Sequence, residues 1–541
     1  MSLAQLLAAN KENPFKVKAY RRAAKRIRAL AESVDELVRS DADLTEFSGI
    51  GKGISGAVRE IVSTGGLRQL EALRAEAKPE MAAISEYPRL DPARVLRVYK
   101  KLGISTIADL KARLESGEIA LKLGARMADH VRQALTESRQ ILLYDADEIV
   151  PGVEQFLLQR CGVRRAQVAG DYRRRVEVIH ELAFLIETDD FAAVVAKLRT
   201  YGGHAELLSA DDDSAIFKLS SGIALLIQAA NRAEWGLALI AATGSEAHLE
   251  KLQRVGDLSK RGYATEAAVY KSFGLEYIEP ELREGYDEIE LAAQRKLPKL
   301  VSLQDIRGEL HAHTVSSDGG NTVEQMAAAA QERGYEYLGI TDHSKSLKIA
   351  RGVSEENLWK QIRLIDKLNE RLSGFRILKS AEVDILADGS LDYPDDLLRE
   401  LDYTVCSIHS RFGLGKAEQT ERILRAMDNR YFTILGHATG RLLLKRPGYE
   451  IDIERVIEHA KENGCFFEIN SSPDRLDLSA ENALLARQAG VKIAISTDAH
   501  STREFDLIRY GIDQARRAGL DQAGVLNCMN VSEFLRVSRA V

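Results

Sequence analysis

The sequence predicts a multidomain α/β protein: a helical amino-terminal region, an α+β middle and a parallel α/β barrel at the carboxy-terminal end. Three observations lead there. The chain has 541 residues, more than one hydrophobic core organises, so two to four domains are expected. From about residue 305, short apolar runs alternate with helical segments about seven times, the βα repeat of a barrel. Nearly all the histidines of that region stand just after an apolar run, and residues at the carboxy-terminal ends of barrel strands converge on one mouth.

Composition narrows the class. The chain is 45% hydrophobic and 29% charged, ordinary for a globular protein, and no apolar run approaches the roughly 20 residues that span a bilayer. No basic stretch precedes an apolar one at the start, so no secretory signal and no membrane partner are expected. Cys161, Cys406, Cys465 and Cys528 lack metal-type spacing and read as thiols in a reducing cytoplasm. With a net charge of −6, any nucleic-acid binding must come from local patches.

The first such patch comes early. Residues 11–28 carry eight Lys or Arg against one Glu, with Ala and Leu at helical spacing, which predicts a basic helix containing Lys16, Lys18, Arg21 and Arg22. It is followed by Gly49-Ile50-Gly51-Lys52-Gly53, a glycine-rich turn between two helices. Such a turn aims backbone N–H groups and a helix start outwards, ready for a phosphate, as in a helix-hairpin-helix. A second helical pair is expected over about 80–140. Its turns, Tyr87 to Pro92 and Lys122 to Arg126, have lost most of the glycines a phosphate-cradling hairpin needs.

The middle, about 141–300, alternates short strands and helices and contains Gly170-Asp171-Tyr172-Arg173-Arg174-Arg175 and later Thr243-Gly244-Ser245. In the carboxy-terminal region, His311 and His313 are two apart, so on a strand both leave the same face. Asp318 lies in the following loop. His343, Glu382, His409, His437 and the pair Asp498/His500 each follow a strand-like run. Helical segments fall near 323–334, 354–373, 417–429, 453–463 and 479–489. Six histidines and three carboxylates at one structural position predict a multinuclear metal site, and imidazole with carboxylate suits Zn, Mn or Fe. Asp384 and Asp388, in the Glu382 loop, read as supporting or solvated residues rather than ligands.

The order of these parts resembles that of bacterial family X DNA polymerases with a carboxy-terminal PHP (polymerase and histidinol phosphatase) domain, over essentially the whole chain. The match includes Asn13-Pro14-Phe15-Lys16-Val17-Lys18-Ala19-Tyr20-Arg21-Arg22 and the Gly49–Ile54 hairpin. His311, His313, Asp318, His343, Glu382, His409, His437, Asp498 and His500 match the PHP signature one for one. The resemblance implies a distorted (β/α)₇ barrel that holds three divalent ions and hydrolyses phosphoesters. It also implies domains at 1–78 (helix-hairpin-helix), 79–142 (fingers-like, degenerate), 143–300 (nucleotidyltransferase palm and thumb) and 301–541 (PHP).

The departures fall in the palm. Family members begin its motif with Gly-Ser and place an Asp-x-Asp pair and a third Asp on neighbouring strands to hold two Mg²⁺ ions. Here Asp171 replaces the Ser, Glu181 and Ala183 stand at the pair, and the third position is assigned to Leu225. Ala and Leu offer no lone pair, so no Mg²⁺ and no polymerase activity are expected there. The lysine with which some relatives open abasic sites aligns with Ala57, which argues against that lyase route.

The expected activity is metal-dependent DNA phosphoester hydrolysis by a 3′–5′ exonuclease acting in repair, with abasic-endonuclease or 3′-phosphatase activity as variants. The expected partner is DNA, gapped or with a free 3′ end, and the expected state a monomer. Glu382 is the candidate bridging carboxylate, Asp498 or a histidine the candidate proton carrier, and Arg411 and Arg441 the candidate phosphate contacts, with Lys345 and Arg351 behind them. The alternatives are an active repair polymerase with a proofreading barrel, a small-molecule phosphatase and a non-enzymatic DNA scaffold. The missing carboxylates, the DNA-binding architecture and the complete nine-residue set weigh against each in turn.

Overall fold

The computed structural model describes residues 2–10, 12–47, 49–76, 97–98, 100–104, 106–124, 127–128, 131–132, 140–258 and 262–538. The expected turn from Tyr87 to Pro92 lies outside them, and that from Lys122 to Arg126 is described only as far as Gly124. No helix among the described residues is long and apolar enough to cross a membrane. The chain divides into two compact units. One holds Met1–Ile141, Asp145–Asp171 and Ile179–Ala238; the other holds Leu142–Tyr144, Tyr172–Val178 and Leu239–Val541. The second unit therefore takes in residues 239–300 and the arginine turn after Asp171, which the sequence pattern groups with the middle region.

In the first unit, helices Ser2–Ala9, Pro14–Ala29, Val34–Arg39, Lys52–Thr64 and Arg68–Glu76 build the amino-terminal part. Pro14 opens the second helix, where its missing N–H costs nothing. Ala23 and Leu30 turn inwards with Leu37, Leu44, Ile50 and Val58, while Lys16, Lys18 and Arg22 remain exposed. The hairpin turns at Gly49, with φ 85°, a left-handed conformation that favours glycine.

The same unit contains a five-stranded sheet: β1 (Arg165–Ala169), β2 (Glu181–Glu187), β3 (Glu206–Ala210), β4 (Ser214–Lys218) and β5 (Ala224–Ala229), in the order β1-β2-β5-β4-β3. β2 runs parallel to β5 and the other pairs are antiparallel. Leu182, Phe184, Ile186, Leu225 and Ile227 are buried on one face, as expected of a central apolar strand pair.

In the second unit, β6 (Gly308–Glu309), β7 (Tyr337–Ile340) and β8 (Arg376–Lys379) form one parallel ladder. A second parallel ladder contains β9 (Glu382–Asp384), β10 (Val405–Ser407), β11 (Ile434–Leu435), β12 (Phe466–Asn470) and β13 (Ile493–Ser496). β8 and β9 are one passage of chain broken at Ser380-Ala381. Parallel bridges His343–Glu382 and Ala312–Ala499 join the ladders at both ends, so seven strand passages close into a ring. An apolar cluster of Leu310, Tyr337, Leu378, Val405, Ile434 and Ala494, with Phe466 packed against it, draws a residue from every passage and is sealed by Phe534. A Cβ at Gly339 would overlap the Tyr403 hydroxyl, which donates to the Leu310 carbonyl at 2.6 Å, so only glycine fits there.

The longer helices between strands are Val323–Glu332, Glu355–Asn369, Lys416–Met427, Ile453–Asn463 and Ala480–Ala489, close to the five segments expected, and a single turn, Asp395–Leu398, precedes β10. Four start at side-chain caps: Thr322, Ser354, Asp452 and Ser479 each accept a backbone N–H of the first turn. Thr322 and Gln325 complete a reciprocal capping box.

Candidate metal centre

The strand ends bring the predicted barrel residues together. Eight of them fall in three overlapping groups whose ligand atoms lie within 4.8 Å of one another. The groups are His313, Asp318, His343 and His500; His311, His313, Glu382 and Asp498; and His343, Glu382 and His409. His437, the ninth, reaches the cluster through Glu382, with Nε2 2.9 Å from Oε1.

Glu382 is central. Its Oε2 lies 2.8 Å from His343 Nδ1, 3.4 Å from His311 Nε2 and 3.6 Å from His313 Nε2, and its Oε1 lies 3.2 Å from His409 Nε2. Asp498 Oδ1 sits 2.9 Å from His313 Nε2, and Asp318 Oδ1 sits 3.3 Å from His500 Nε2. Gly319 lets the Asp318 loop fold back, because a Cβ there would stand 2.6 Å from the His313 carbonyl oxygen. Two of the nine take up positive φ without being glycine: His437 at 27° and Asp498 at 54°. Such conformations cost about 1–3 kcal/mol each and persist where surrounding contacts impose them. At His437 the imposing contact is its N–H, which donates to Glu468 Oε2 at 2.7 Å.

The rings are aimed from behind. Glu468 Oε1 meets His311 Nδ1 at 2.6 Å and Asp384 Oδ1 meets His409 Nδ1 at 2.7 Å, which turns the Nε2 of each ring to the centre. His500 Nδ1 is fixed 2.8 Å from the Asp498 carbonyl. Asn470 Nδ2 donates to Asp498 Oδ2 at 3.1 Å. Asp384 thus supports a ring, while exposed Asp388 accepts from the N–H and hydroxyl of Ser390 and feels Arg425. Sequence reasoning missed Glu468, although an acid inside the apolar run Phe466-Phe467-Glu468-Ile469 was a usable signal. It also missed Glu309, which accepts from the N–H groups of Leu310, His311 and Thr497 and ties β6 to the chain after β13.

Charge shows what the centre requires. Burial alone would lower the pKa of His311, but Glu468, Asp498 and Glu382 outweigh it and hold the ring well above its usual value. Despite burial, Glu382 and Asp384 push His409 up to about 10, and Asp318 and Asp498 push His500 up to about 9. Burial and the neighbouring His343 pull His313 down to about 4. Burial opposes ionisation of Glu382 and Asp498, yet the histidines hold both carboxyls well below their usual range. Buried carboxylates here draw positive charge, which protons or metal cations supply.

The residues fit divalent cations. His311 Nε2, His313 Nδ1, His343 Nδ1, His437 Nδ1 and Glu382 Oε2 are buried and make no hydrogen bond among the described residues. All but His437 Nδ1 lie within 4.0 Å of an oppositely charged group without hydrogen-bond alignment, as lone pairs directed at a shared ion would. The donors are nitrogen and oxygen only, which suits Zn and Mn.

The other predicted positions are placed differently. Lys16, Lys18, Arg22, Gly49, Gly51, Lys52 and Gly53 are each exposed, and Gly49 packs against the Arg22 stem. Arg21 donates to Gln5 at 3.2 Å. On β2, Glu181 and Ala183 share a face, and Ala183 stands opposite Leu226, whereas Leu225 stands opposite Leu182 on the buried face. The register therefore puts Leu225 on the opposite face and leaves Ala224 and Leu226, both ligand-free, on the face of Glu181 and Ala183. Burial and then Asp171 raise the pKa of Glu181, and Asp171 is 3.6 Å from His180. Thr243 is buried and accepts from Arg173 at 3.0 Å through its hydroxyl and from Arg174 at 2.6 Å through its carbonyl. Arg411 is exposed, with φ 55°, Lys345 pairs with Glu355 at 2.6 Å, and Arg351 is exposed. Arg441 faces inwards to protein groups, with Nη1 3.1 Å from Glu177 Oε1.

Residues 1–67 match the model of the helix-hairpin-helix domain and residues 309–472 that of the PHP domain, which spans seven of the nine predicted ligands and ends before Asp498 and His500. The chain is 33% identical to the DNA polymerase/3′-5′ exonuclease PolX of Bacillus subtilis (strain 168), over 96% of this chain and 95% of that protein. It is 33% identical to a probable phosphatase of Thermoanaerobacter sp. (strain X514), over 42% of this chain and 94% of the relative. A probable phosphatase of Acetivibrio thermocellus is 32% identical over 36% of this chain and 80% of its own length.

Proposed function

The chain belongs to the bacterial PolX family of DNA polymerase/3′-5′ exonucleases with a PHP domain, and from that premise we propose that it is a metal-dependent 3′–5′ exonuclease whose palm no longer synthesises DNA. The observation that carries this reading is the contrast in ligands. Eight barrel residues gather within ion-binding distance, while the palm face presents Glu181, Ala183 and Leu226. We assign the nine barrel residues to three ions, manganese or zinc. Divalent cations held there supply Lewis acidity toward a phosphate and acidify water.

The chain's own residues do the rest. Glu382 is placed to serve neighbouring ions at once, because its two oxygens face different imidazoles. Glu468 and Asp384 keep the rings of His311 and His409 oriented, so the cluster does not have to reorganise when substrate arrives. His500 and Asp318 are about one-third exposed while their partners are buried, so substrate meets the cluster from their side. Lys16, Lys18, Arg21, Arg22 and the Gly49–Gly53 hairpin hold the DNA backbone without reading its sequence. Four buried free cysteines suit the reducing cytoplasm in which we place this activity.

The relatives named as probable phosphatases support a second reading, removal of a 3′-phosphate by the same centre. Both readings are tested with 5′-labelled duplexes ending in 3′-hydroxyl or 3′-phosphate, incubated with Mn²⁺. Stepwise shortening of the first supports the exonuclease, and loss of phosphate without shortening supports the phosphatase. Equal activity in a His311→Ala/His313→Ala protein would remove the barrel from either.

A further inference from the structure

We infer that Arg475 grips the phosphate at the mouth of the metal centre, and that Arg441 and Glu177 position it there. The inference rests on the phosphoesterase reading above and supplies its substrate contact.

Arg475 lies in the loop after β12, with its side chain 22% exposed and its Nε 3.8 Å from Asp498 Oδ2. That separation is too long for a hydrogen bond, and the guanidinium makes none among the described residues. Asp498 Oδ2 is instead held by Asn470, and Oδ1 belongs to the ion-binding group with His311, His313 and Glu382. A half-buried guanidinium with uncommitted donors, one carboxylate away from a cation cluster, suits an anion. Its planar fork matches two non-bridging oxygens of a phosphate, and a partly desolvated setting strengthens such bonds.

The loop is held in that pose by Arg441, for which the sequence suggested a phosphate contact, and by the groups behind it. Arg441 Nε donates to the Arg475 carbonyl at 3.0 Å, and Nη2 donates to the carbonyl of Leu476, which has φ 43°. Arg441 Nη1 donates to Glu177 Oε1 at 3.1 Å. The other oxygen of Glu177 accepts from Arg517 Nη1 at 2.8 Å, and Arg517 Nη2 reaches Glu284 at 2.9 Å. Arg441 therefore spends all three nitrogens on protein, which replaces the expectation that it contacts phosphate. Glu177 closes the run Asp171-Tyr172-Arg173-Arg174-Arg175-Val176-Glu177, and its segment folds with the barrel unit. The altered palm motif thus retains a use as a buttress behind the barrel loop.

The test uses the full-length Mn²⁺-loaded chain and the chromogenic diester bis(4-nitrophenyl) phosphate. Arg475→Ala is expected to raise KM about tenfold with a smaller change in kcat, the scale of a lost charge-assisted hydrogen bond, and to keep the wild-type Mn²⁺ stoichiometry. Arg475→Lys recovers part of the loss. Glu177→Gln raises KM by a smaller factor, and Glu177→Gln/Arg475→Ala is no worse than Arg475→Ala alone. Unchanged KM in Arg475→Ala overturns the inference. So does loss of Mn²⁺, which makes Arg475 only a partner of Asp498. Additive penalties in the double variant overturn the positioning role of Glu177. If wild type hydrolyses neither this diester nor DNA, the proposed function falls. The contact is then read by calorimetry of inorganic phosphate with the Mn²⁺-loaded chain. About tenfold weaker binding by Arg475→Ala supports it, and equal binding, or none in wild type, overturns it.

Discussion

The β2–β5 strand pair and the mouth of the barrel both present side chains at adjacent parallel strands, and they differ in what those side chains can donate. On β2 and β5 the half-open face carries Glu181, Ala183 and Leu226, one carboxylate and two hydrocarbons. Around the barrel six of the seven strand passages end in an imidazole or a carboxylate of the nine-residue set, and acids such as Glu468, on the remaining passage, and Asp384 stand behind the rings. Retaining a fold and retaining a metal site are separate matters. Apolar burial keeps the five-stranded sheet, whereas a metal site needs its ligands and the residues that aim them.

The sharpest break in that contrast comes from removing ligands. His311→Ala/His313→Ala is expected to cut 3′-end shortening at least about 100-fold, since even supporting partners of metal ligands act on a 10–100-fold scale; gel analysis of a labelled duplex checks it. Next comes the support behind the rings. Glu468→Gln leaves all nine ligands in place and is expected to weaken Mn²⁺ binding about 10–100-fold, read by metal titration.

The same contrast has a pH signature. In the cation-free centre His409 is pushed up to about 10 and His500 up to about 9, so both carry protons at neutral pH. Binding must expel them, so Mn²⁺ affinity should fall as pH drops from 8 to 6, with proton release on binding. Calorimetry in buffers of different ionisation enthalpy measures this, and pH-independent affinity would contradict it.

A smaller effect separates stability from chemistry. Burial alone would raise the pKa of Glu177, but Arg517 and Arg441 outweigh it and hold the carboxyl below its usual range. Its contribution is therefore present above the ordinary glutamate pKa and lost as pH falls through the native one. Glu177→Gln should cost about 3–5 kcal/mol at pH 7, the scale for breaking a buried pair, and the gap should close toward pH 3 in denaturation curves. The smallest effect is expected in the palm: Glu181→Gln should change Mn²⁺-dependent hydrolysis by less than about twofold, as for a residue outside any functional feature.

The sequence made the barrel legible because its signals were local and repeated. An apolar run, a ligand and a capped helix recur, and His311-x-His313 declares its shared face by spacing alone. Glu468 and Arg475 were less legible because what defines them is a partner far along the chain, His311 for one and the loop-holding Arg441 for the other. The third palm position was placed at Leu225, on the wrong face for Glu181 and Ala183, because both strands read as unbroken apolar runs. Only the β2–β5 register shows which face each residue takes. The palm's arginine turn was assigned to the middle region by sequence order, whereas its ion pairs Arg175–Asp513 and Glu177–Arg517 lie within the barrel unit.

One measurement tests the central claim directly. A gapped duplex with a 5′-labelled primer is incubated with Mn²⁺ or Mg²⁺ and all four dNTPs, for wild type and His311→Ala/His313→Ala. An active barrel beside a silent palm predicts shortening by wild type, no change with the variant and no extension by either. Primer extension that persists in the variant would contradict it, placing a working polymerase centre on a face that offers Glu181 as its sole carboxylate among the three aligned positions.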